Sequence, residues 1–336
     1  MEISIVGAGG WGSALAVSYA RVFRQVKIWA HSSDVAREIN SAQTNNNYLP
    51  GILFPDNIKA YDSLEFLRSQ NLVLLMVPTQ HMRFVVKQLK PYLRQDAILV
   101  HGAKGIEKDT LLRSSEVIKT ETANKYPVLV LSGPTHAEEV AKSLPIACVL
   151  AGEDQSLLKE IQEKLMLPAF RVYTSADVVG VEIGRALKNV IAIATGIADG
   201  LGYGDNARGA LITRGLAEMA RLGVKLGANP LTFAGLSGMG DLIATCCSNY
   251  SRNRNAGIAL AKGSTIKKIT TQSKLVVEGA FTAEGAYKLG QRSGVELPIV
   301  KEILAVIQGI KSPLEIAPLL LQRQAQEELN YLLENL

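Results

Sequence analysis

The 336-residue sequence predicts an α/β fold: an N-terminal, doubly wound and largely parallel sheet, followed by a mainly α-helical C-terminal domain. Three observations support this. Short β-branched runs alternate with helix-like or turn-rich segments through the first half of the chain. A glycine-rich turn follows the first of these runs directly. Beyond Asp177 the β-rich runs fade and helical periodicity takes over.

The first strand is Ile3–Val6, and it leads into Gly7-Ala8-Gly9-Gly10-Trp11-Gly12, a G-x-G-x-x-G turn, before an apolar helix at Ser13–Arg21. In this setting Gly7 permits the tight turn and Gly9 lets the backbone approach a pyrophosphate. Gly12 lets the helix pack close to its strand, and the helix N-terminus offers N–H groups to the phosphates. The segment therefore opens a Rossmann-like, dinucleotide-binding domain. The second strand, Val26–Ala30, ends where NAD-specific proteins place an acid on the ribose. Here the text is Ala30-His31-Ser32-Ser33, and Asp34 comes late. His31 and Arg37 suit a 2′-phosphate, so NADP and NAD both stay open.

Further strands are expected at Leu72–Val77, Ala97–Val100, Val128–Leu131, Ile146–Leu150 and Phe170–Tyr173. Two of them run into glycine-containing loops, His101–Gly105 and Ser132–His136. Ligands of open parallel sheets bind outside the carboxyl ends of the strands, so both loops are candidates. Lys104 reads equally well as a contact to an anionic substrate and as a solvated loop lysine.

The second half opens on Val178–Ala198, a helix apolar enough to be buried on nearly all sides. Lys188 stands in its middle, and Asn189 to Ala198 carry no charge. Stripping water from an ammonium costs on the order of several kcal/mol unless partners offset it. Burial also lowers the pKa of a lysine, which suits proton transfer near neutral pH. The bland alternatives are a stem snorkelling to the surface and one half of a structural ion pair. An amphipathic helix is expected at Ala210–Leu226, another at Thr282–Arg292, and more toward the C-terminus. The boundary falls at the start of the Lys188 helix, giving an NAD(P)-binding domain at 1–180 and an α-helical substrate domain at 181–336. Gly235–Gly240 is a glycine-rich turn delivering Asp241, either an N-cap or the carboxylate that holds Lys188. Ser251-Arg252-Asn253 sets an arginine fork beside neutral hydrogen-bonding groups, as for a phosphate, and reads also as a capped helix start.

Composition excludes several classes. Apolar residues make up 47% and charged residues 20%, as in an ordinary globular protein, and the length favours two domains. The net charge of +5 is dispersed, and the pair Lys267-Lys268 lacks interleaved aromatics, so small anions are expected as ligands rather than nucleic acid. Cys148 and the adjacent Cys246-Cys247 give no disulfide framework, which fits a cytoplasmic protein. No spacing suggests a metal. Glu182, Arg185 and Lys188 interrupt the longest apolar stretch, so no membrane insertion is expected.

Taken in order, the motifs resemble the NAD(P)-dependent glycerol-3-phosphate dehydrogenases, the bacterial type in particular. The matching text is Gly7–Gly12, Phe54-Pro55-Asp56-Asn57, Ala103-Lys104-Gly105, Ser132-Gly133-Pro134-Thr135, Leu187-Lys188-Asn189-Val190-Ile191-Ala192, Gly240-Asp241-Leu242, Ser251-Arg252-Asn253-Arg254 and Val276-Val277-Glu278-Gly279. The resemblance implies interconversion of dihydroxyacetone phosphate and sn-glycerol 3-phosphate, feeding glycerophospholipid synthesis, in a cytoplasmic homodimer. It implies that Lys188 is the acid–base lysine, with Asp241 and Thr245 lining it and Asn189 beside it, and that Lys104 touches substrate and cofactor. It places Gly133, Thr135, Ser251, Arg252 and Asn253 on the substrate. Gly10, Trp11, His31, Ala137, Arg252, Val276 and Glu278 fall at cofactor contacts. His136 and Arg185 depart from the family pattern. A two-domain dehydrogenase of a β-hydroxyacid or of 6-phosphogluconate is the nearest rival, and a dinucleotide sensor without turnover is a rival of another class. Ser251–Asn253 and the Asp241 loop favour the triose phosphate.

Overall fold

The apolar runs of the first half assemble into one eight-stranded sheet. In the computed structural model, which describes residues 2–273 and 276–321, the strands are β1 (Glu2–Val6), β2 (Gln25–Trp29), β3 (Ile58–Tyr61), β4 (Leu72–Leu75), β5 (Ile98–His101), β6 (Val128–Ser132), β7 (Ile146–Ala151) and β8 (Phe170–Ser175). Their order is β3-β2-β1-β4-β5-β6-β7-β8. All neighbours run parallel except β6 and β7. From β1 the chain goes to β2 on one side and later to β4 on the other, which makes the carboxyl end of β1 a topological switch point, where open α/β sheets bind their ligands. The strand β3 is absent from the sequence-based expectation. It has only four residues, and Lys59 and Tyr61 break its apolar run.

The helices that accompany the sheet are α1 (Gly10–Tyr19), α2 (Ser33–Ala42), α3 (Thr79–Leu89), α4 (Ser114–Glu121), α5 (Ala137–Ala141) and α6 (Gln155–Leu165). Helix α1 starts three residues earlier than its apolar run suggests. The last glycines of the turn form its first turn, with Ser13 N–H donating to Gly9 O at 2.9 Å. Ile3, Ile5, Leu15, Ile28, Leu74 and Leu131 centre the core of this unit.

The chain divides into two compact units. One holds the residues up to Ala103 together with Ser114–Ala176; the other holds Lys104–Arg113 together with the chain from Asp177 onward. The second unit is helical: α7 (Val178–Gly200), α8 (Asp205–Lys225), α9 (Leu231–Ala234), α10 (Asp241–Cys247), α11 (Arg252–Ala261), α12 (Ile266–Ser273), α13 (Glu278–Ser293), α14 (Pro298–Ile307) and α15 (Pro313–Leu321). Part of the expected C-terminal helical segment, 322–336, lies outside the described residues.

Helix α7 is the axis of this unit. Every residue from Gly180 to Ala198 is buried, as expected of a helix apolar on all sides. Asp177 caps it, accepting from Gly180 N–H at 2.8 Å with one oxygen, while the other accepts from Asn229 N–H and the Thr232 hydroxyl. In α8, Leu211, Met219 and Leu222 face the core, and buried Glu218 accepts from the first N–H groups of α14. No helix among the described residues is long and apolar enough to cross a membrane.

Candidate active site

In the sheet unit the glycine turn is built for close approach. Gly7 has φ +115°, and a Cβ on Gly12 would lie 1.9 Å from Gly7 O, so neither position admits a side chain. Asn45, fully buried, fixes the turn from the far side by donating to Ala8 O (2.8 Å) and the Ser13 hydroxyl (2.9 Å). A side chain added at Gly9 would meet nothing within 4 Å, so the approach over the turn is open. The Trp11 indole N–H is buried with no acceptor among the described residues. An open backbone cradle, a helix N-terminus and an unused buried donor fit the pyrophosphate part of a dinucleotide. His31 follows β2, exposed, with its ring 5.9 Å from that of Trp29. Gly133, Thr135 and Ala137 also belong to this unit: Gly133 adopts φ +145° after β6, buried Thr135 donates to Gly133 O, and Ala137 is the first residue of α5.

In the helical unit, Lys188 is 2% exposed and does not snorkel. Its ammonium donates to Asp241 Oδ1 and, at 2.9 Å, to the Thr245 hydroxyl. Thr245 in turn donates to Asp241 O at 2.6 Å, one turn back along α10. Asp241 is therefore no cap; Gly240 occupies that position, and a π-helical turn at Leu236–Gly240 delivers the carboxylate to Lys188. Asp241 Oδ2 is buried without a hydrogen-bond donor among the described residues, an acceptor left for a ligand.

Lys104 lies in the segment that joins the helical unit. Burial pulls its pKa down to about 7, and the positive charges of Lys188 and Arg185 push the same way, against Asp241 and Glu278. Burial likewise lowers the Lys188 pKa, opposed chiefly by Asp241. Glu278, the first residue of α13, has its carboxyl pKa raised by desolvation, opposed by Lys104 and Arg252. Two lysines whose pKa values are both lowered, beside two carboxylates, are the arrangement that acid–base chemistry calls for.

Asparagines tie these pieces together. Asn189 donates to Lys104 O at 3.4 Å and accepts from Asn253 at 3.0 Å, while Asn253 Oδ1 accepts from Gly279 N–H at 2.9 Å. Ser251 caps α11 by accepting from Arg254 N–H. Arg252 is exposed at the start of that helix, and Val276 is exposed before α13.

Sequence reasoning passed over one positioning pair. Asp199 accepts from Arg254 Nε at 2.6 Å and from Arg208 at 2.7 Å, which anchors the start of α11. Its signal was available: Asp199 stands eleven residues after Lys188, on the order of three helical turns and so on the same face.

A dinucleotide turn on a parallel sheet, joined in one chain to a helical unit holding a buried lysine–carboxylate pair, is the organisation of a two-part pyridine-nucleotide-dependent dehydrogenase. Residues 2–158 match the family model for the NAD-dependent glycerol-3-phosphate dehydrogenase N-terminus, and residues 177–318 match that for its C-terminus. The chain belongs to the NAD-dependent glycerol-3-phosphate dehydrogenase family. It is 44% identical over 332 residues to a glycerol-3-phosphate dehydrogenase (NAD(P)+) of Pelotomaculum thermopropionicum, covering 97% of this chain and 95% of that protein. It is 48% identical over 309 residues to the Bacillus thuringiensis protein of that name, covering 91% of each. The crystal structure of glycerol-3-phosphate dehydrogenase from Coxiella burnetii superimposes with a TM-score of 0.92 at 39% identity, over 96% of this chain and 99% of that one.

Proposed function

We propose that the chain interconverts dihydroxyacetone phosphate and sn-glycerol 3-phosphate with NAD(P), using Lys188 as the general acid and base. The observation that carries this reading is the buried Lys188, held by Asp241 and Thr245 and faced by the charge of Lys104. Gly7, Gly9, Gly10, Trp11 and Gly12 would hold the dinucleotide, with His31, Ala137, Val276 and Glu278 as further contacts. When bound, the nicotinamide supplies or accepts the hydride at C2 of the substrate.

The residues of the chain do the rest. Protonated Lys188 donates to the C2 carbonyl oxygen as it becomes an alkoxide, and takes the proton back in the reverse direction. Asp241 stabilises the ammonium and the Thr245 hydroxyl fixes its direction. Lys104 and the Asn189 amide stabilise the developing negative charge. Arg252, with Ser251 and Asn253 at the N-terminus of α11, anchors the phosphate, and Gly133 and Thr135 add substrate contacts. An anchor remote from the reacting carbon positions the carbonyl.

Oxidation of NADPH and NADH by the purified protein with dihydroxyacetone phosphate, run beside Lys188→Ala, tests the reading. Oxidation by the wild type that the variant loses supports it, and the two cofactor rates give the preference. No oxidation with either cofactor, or an equally active variant, overturns it. We place this activity in the cytoplasm, as the supply of glycerol phosphate for lipid synthesis, and assign a homodimer. Leu211, Met219 and Leu222 of α8 are buried in the helical unit. A light-scattering mass of one chain would remove the dimer.

A further inference from the structure

The run Ser251-Arg252-Asn253-Arg254 carries two arginines, and the fold gives them different partners. Two residues apart on α11, they stand about 200° apart around the helix and point to opposite sides. Arg252 is exposed, whereas the Arg254 side chain is 12% exposed and turned toward the end of α7. Its Nε donates to Asp199 Oδ2 at 2.6 Å and its Nη1 to Asn249 Oδ1 at 3.1 Å. The other carboxylate oxygen, Asp199 Oδ1, accepts from Arg208 Nη2 at 2.7 Å and Nε at 3.1 Å. Asp199 is thus gripped on both oxygens by guanidinium groups from two helices. Its side chain is 9% exposed, and an ion pair so far from water is little screened.

From Arg254 the grip extends to the residues around Arg252. A Cβ on Gly196 would lie 2.0 Å from Arg254 O, so the start of α11 lies directly on the α7 backbone. Arg254 N–H donates to the Ser251 hydroxyl at 3.2 Å. Asn249, already held by Arg254, is held again where its carbonyl accepts from Asn255 Nδ2 at 2.8 Å. Arg252 therefore stands between clamped neighbours, Asn249 and Ser251 before it and Asn253 and Arg254 after it. We infer that Asp199 is a positioning residue for the substrate phosphate, setting through Arg254 where Ser251 and Arg252 meet it. Arg254, committed to Asp199 and Asn249, leaves Arg252 as the arginine of the run that faces the anion. The effect of Asp199 belongs to the binding of the phosphate and not to the proton transfer at Lys188.

The inference rests on the reading of Ser251, Arg252 and Asn253 as a phosphate anchor, and its test separates the two. Asp199→Asn keeps the size of the side chain and drops the charge that both guanidinium groups meet. It is expected to raise KM for dihydroxyacetone phosphate about tenfold, with kcat and the turnover of unphosphorylated dihydroxyacetone changed by less than about twofold. Where that variant does not fold, Arg254→Lys gives the same reading, since an ammonium lacks the fork that spans Asp199 and Asn249. On top of Arg252→Ala, Asp199→Asn is expected to add less than about twofold, because the group it positions is gone. Losses that multiply in the double variant, or that fall equally on the two substrates, mean a general structural role and overturn the inference. Calorimetric titration of inorganic phosphate into wild type, Arg252→Ala and Asp199→Asn reads the anchor without turnover. Affinity that Arg252→Ala leaves unchanged removes the anchor, and the inference with it. Affinity lost in Arg252→Ala but kept in Asp199→Asn overturns the inference alone.

Discussion

Asn253 hands its amide N–H to Asn189 Oδ1 at 3.0 Å, and its own carbonyl accepts from Gly279 N–H at 2.9 Å. Because Gly279 offers only a donor, the orientation of the Asn253 amide is fixed, and that of Asn189 follows from it. One amide thereby links the starts of α11 and α13 to the residue next to Lys188. The helices sit close enough for this because Gly257 has no side chain; a Cβ there would lie 2.2 Å from Ile193 O.

Asn253→Ala removes both bonds and leaves the Gly279 N–H and the Asn189 carbonyl buried without their partner. An unsatisfied buried group costs roughly 1–3 kcal/mol, so the variant is expected to unfold at lower denaturant concentration by about that much. Asn253→Asp keeps the acceptor for Gly279, loses the donor to Asn189 and adds a negative charge. It is expected to retain more stability than the alanine variant but to bind the phosphorylated substrate worse. Denaturant titration beside KM for dihydroxyacetone phosphate checks both.

Arg252→Ala tests the anchor. The side chain is exposed and its guanidinium is suited to a bidentate grip on phosphate. Charge-assisted bonds of this kind are worth roughly 1.5–3 kcal/mol, so a loss in kcat/KM of about 10- to 100-fold is expected with dihydroxyacetone phosphate. With unphosphorylated dihydroxyacetone the loss should be much smaller. Equal losses on both substrates would remove Arg252 from the anchor role.

Much of this site is legible in the sequence, and the reasons differ by residue. Lys188 stands out because a charge in the middle of a mostly apolar helix demands a partner. The turn at Gly7–Gly12 stands out because the strand before it and the helix after it are both local signals. Strand β3 is hidden, since four residues with two polar side chains at a sheet edge give no periodicity. The role of Asp241 stays open between cap and counter-ion until its helix is placed against α7, because that contact spans 53 residues. The Asn189–Asn253 link and the passage of Lys104 into the helical unit are tertiary facts with no local trace. Arg185 is visible as a charge in the same helix, but its neighbours emerge only in three dimensions.

The pH dependence follows from Lys104. Its folded pKa of about 7 lies below the ordinary lysine value of 10.5, so in the ligand-free protein its cation is lost as pH rises through neutrality. The free-protein profile, kcat/KM for reduction of the ketone, is therefore expected to fall above about pH 7. A bound dianion favours the charged lysine, so the corresponding limb in kcat must lie at higher pH. Coincident limbs in the two profiles would mean that Lys104 does not feel the substrate.

Asp241→Asn isolates the counter-charge of Lys188. Burial alone lowers the lysine pKa, and the Asp241 carboxylate is the largest opposing influence. The amide keeps an oxygen to accept from the ammonium, so the lysine stays in place while its electrostatic support goes. The sign is fixed: losing a negative neighbour lowers the pKa further, so a smaller fraction of Lys188 carries its proton at any given pH. Reduction of dihydroxyacetone phosphate is expected to drop by about 10²–10⁴-fold at pH 8, the range that general acid catalysis contributes. Part of that loss should return as the pH is lowered, because the lysine regains its proton. Competitive acylation of Lys188 across pH reads the same shift without turnover. A variant whose reduction rate is low by the same factor at every pH would place Asp241 in a purely steric role.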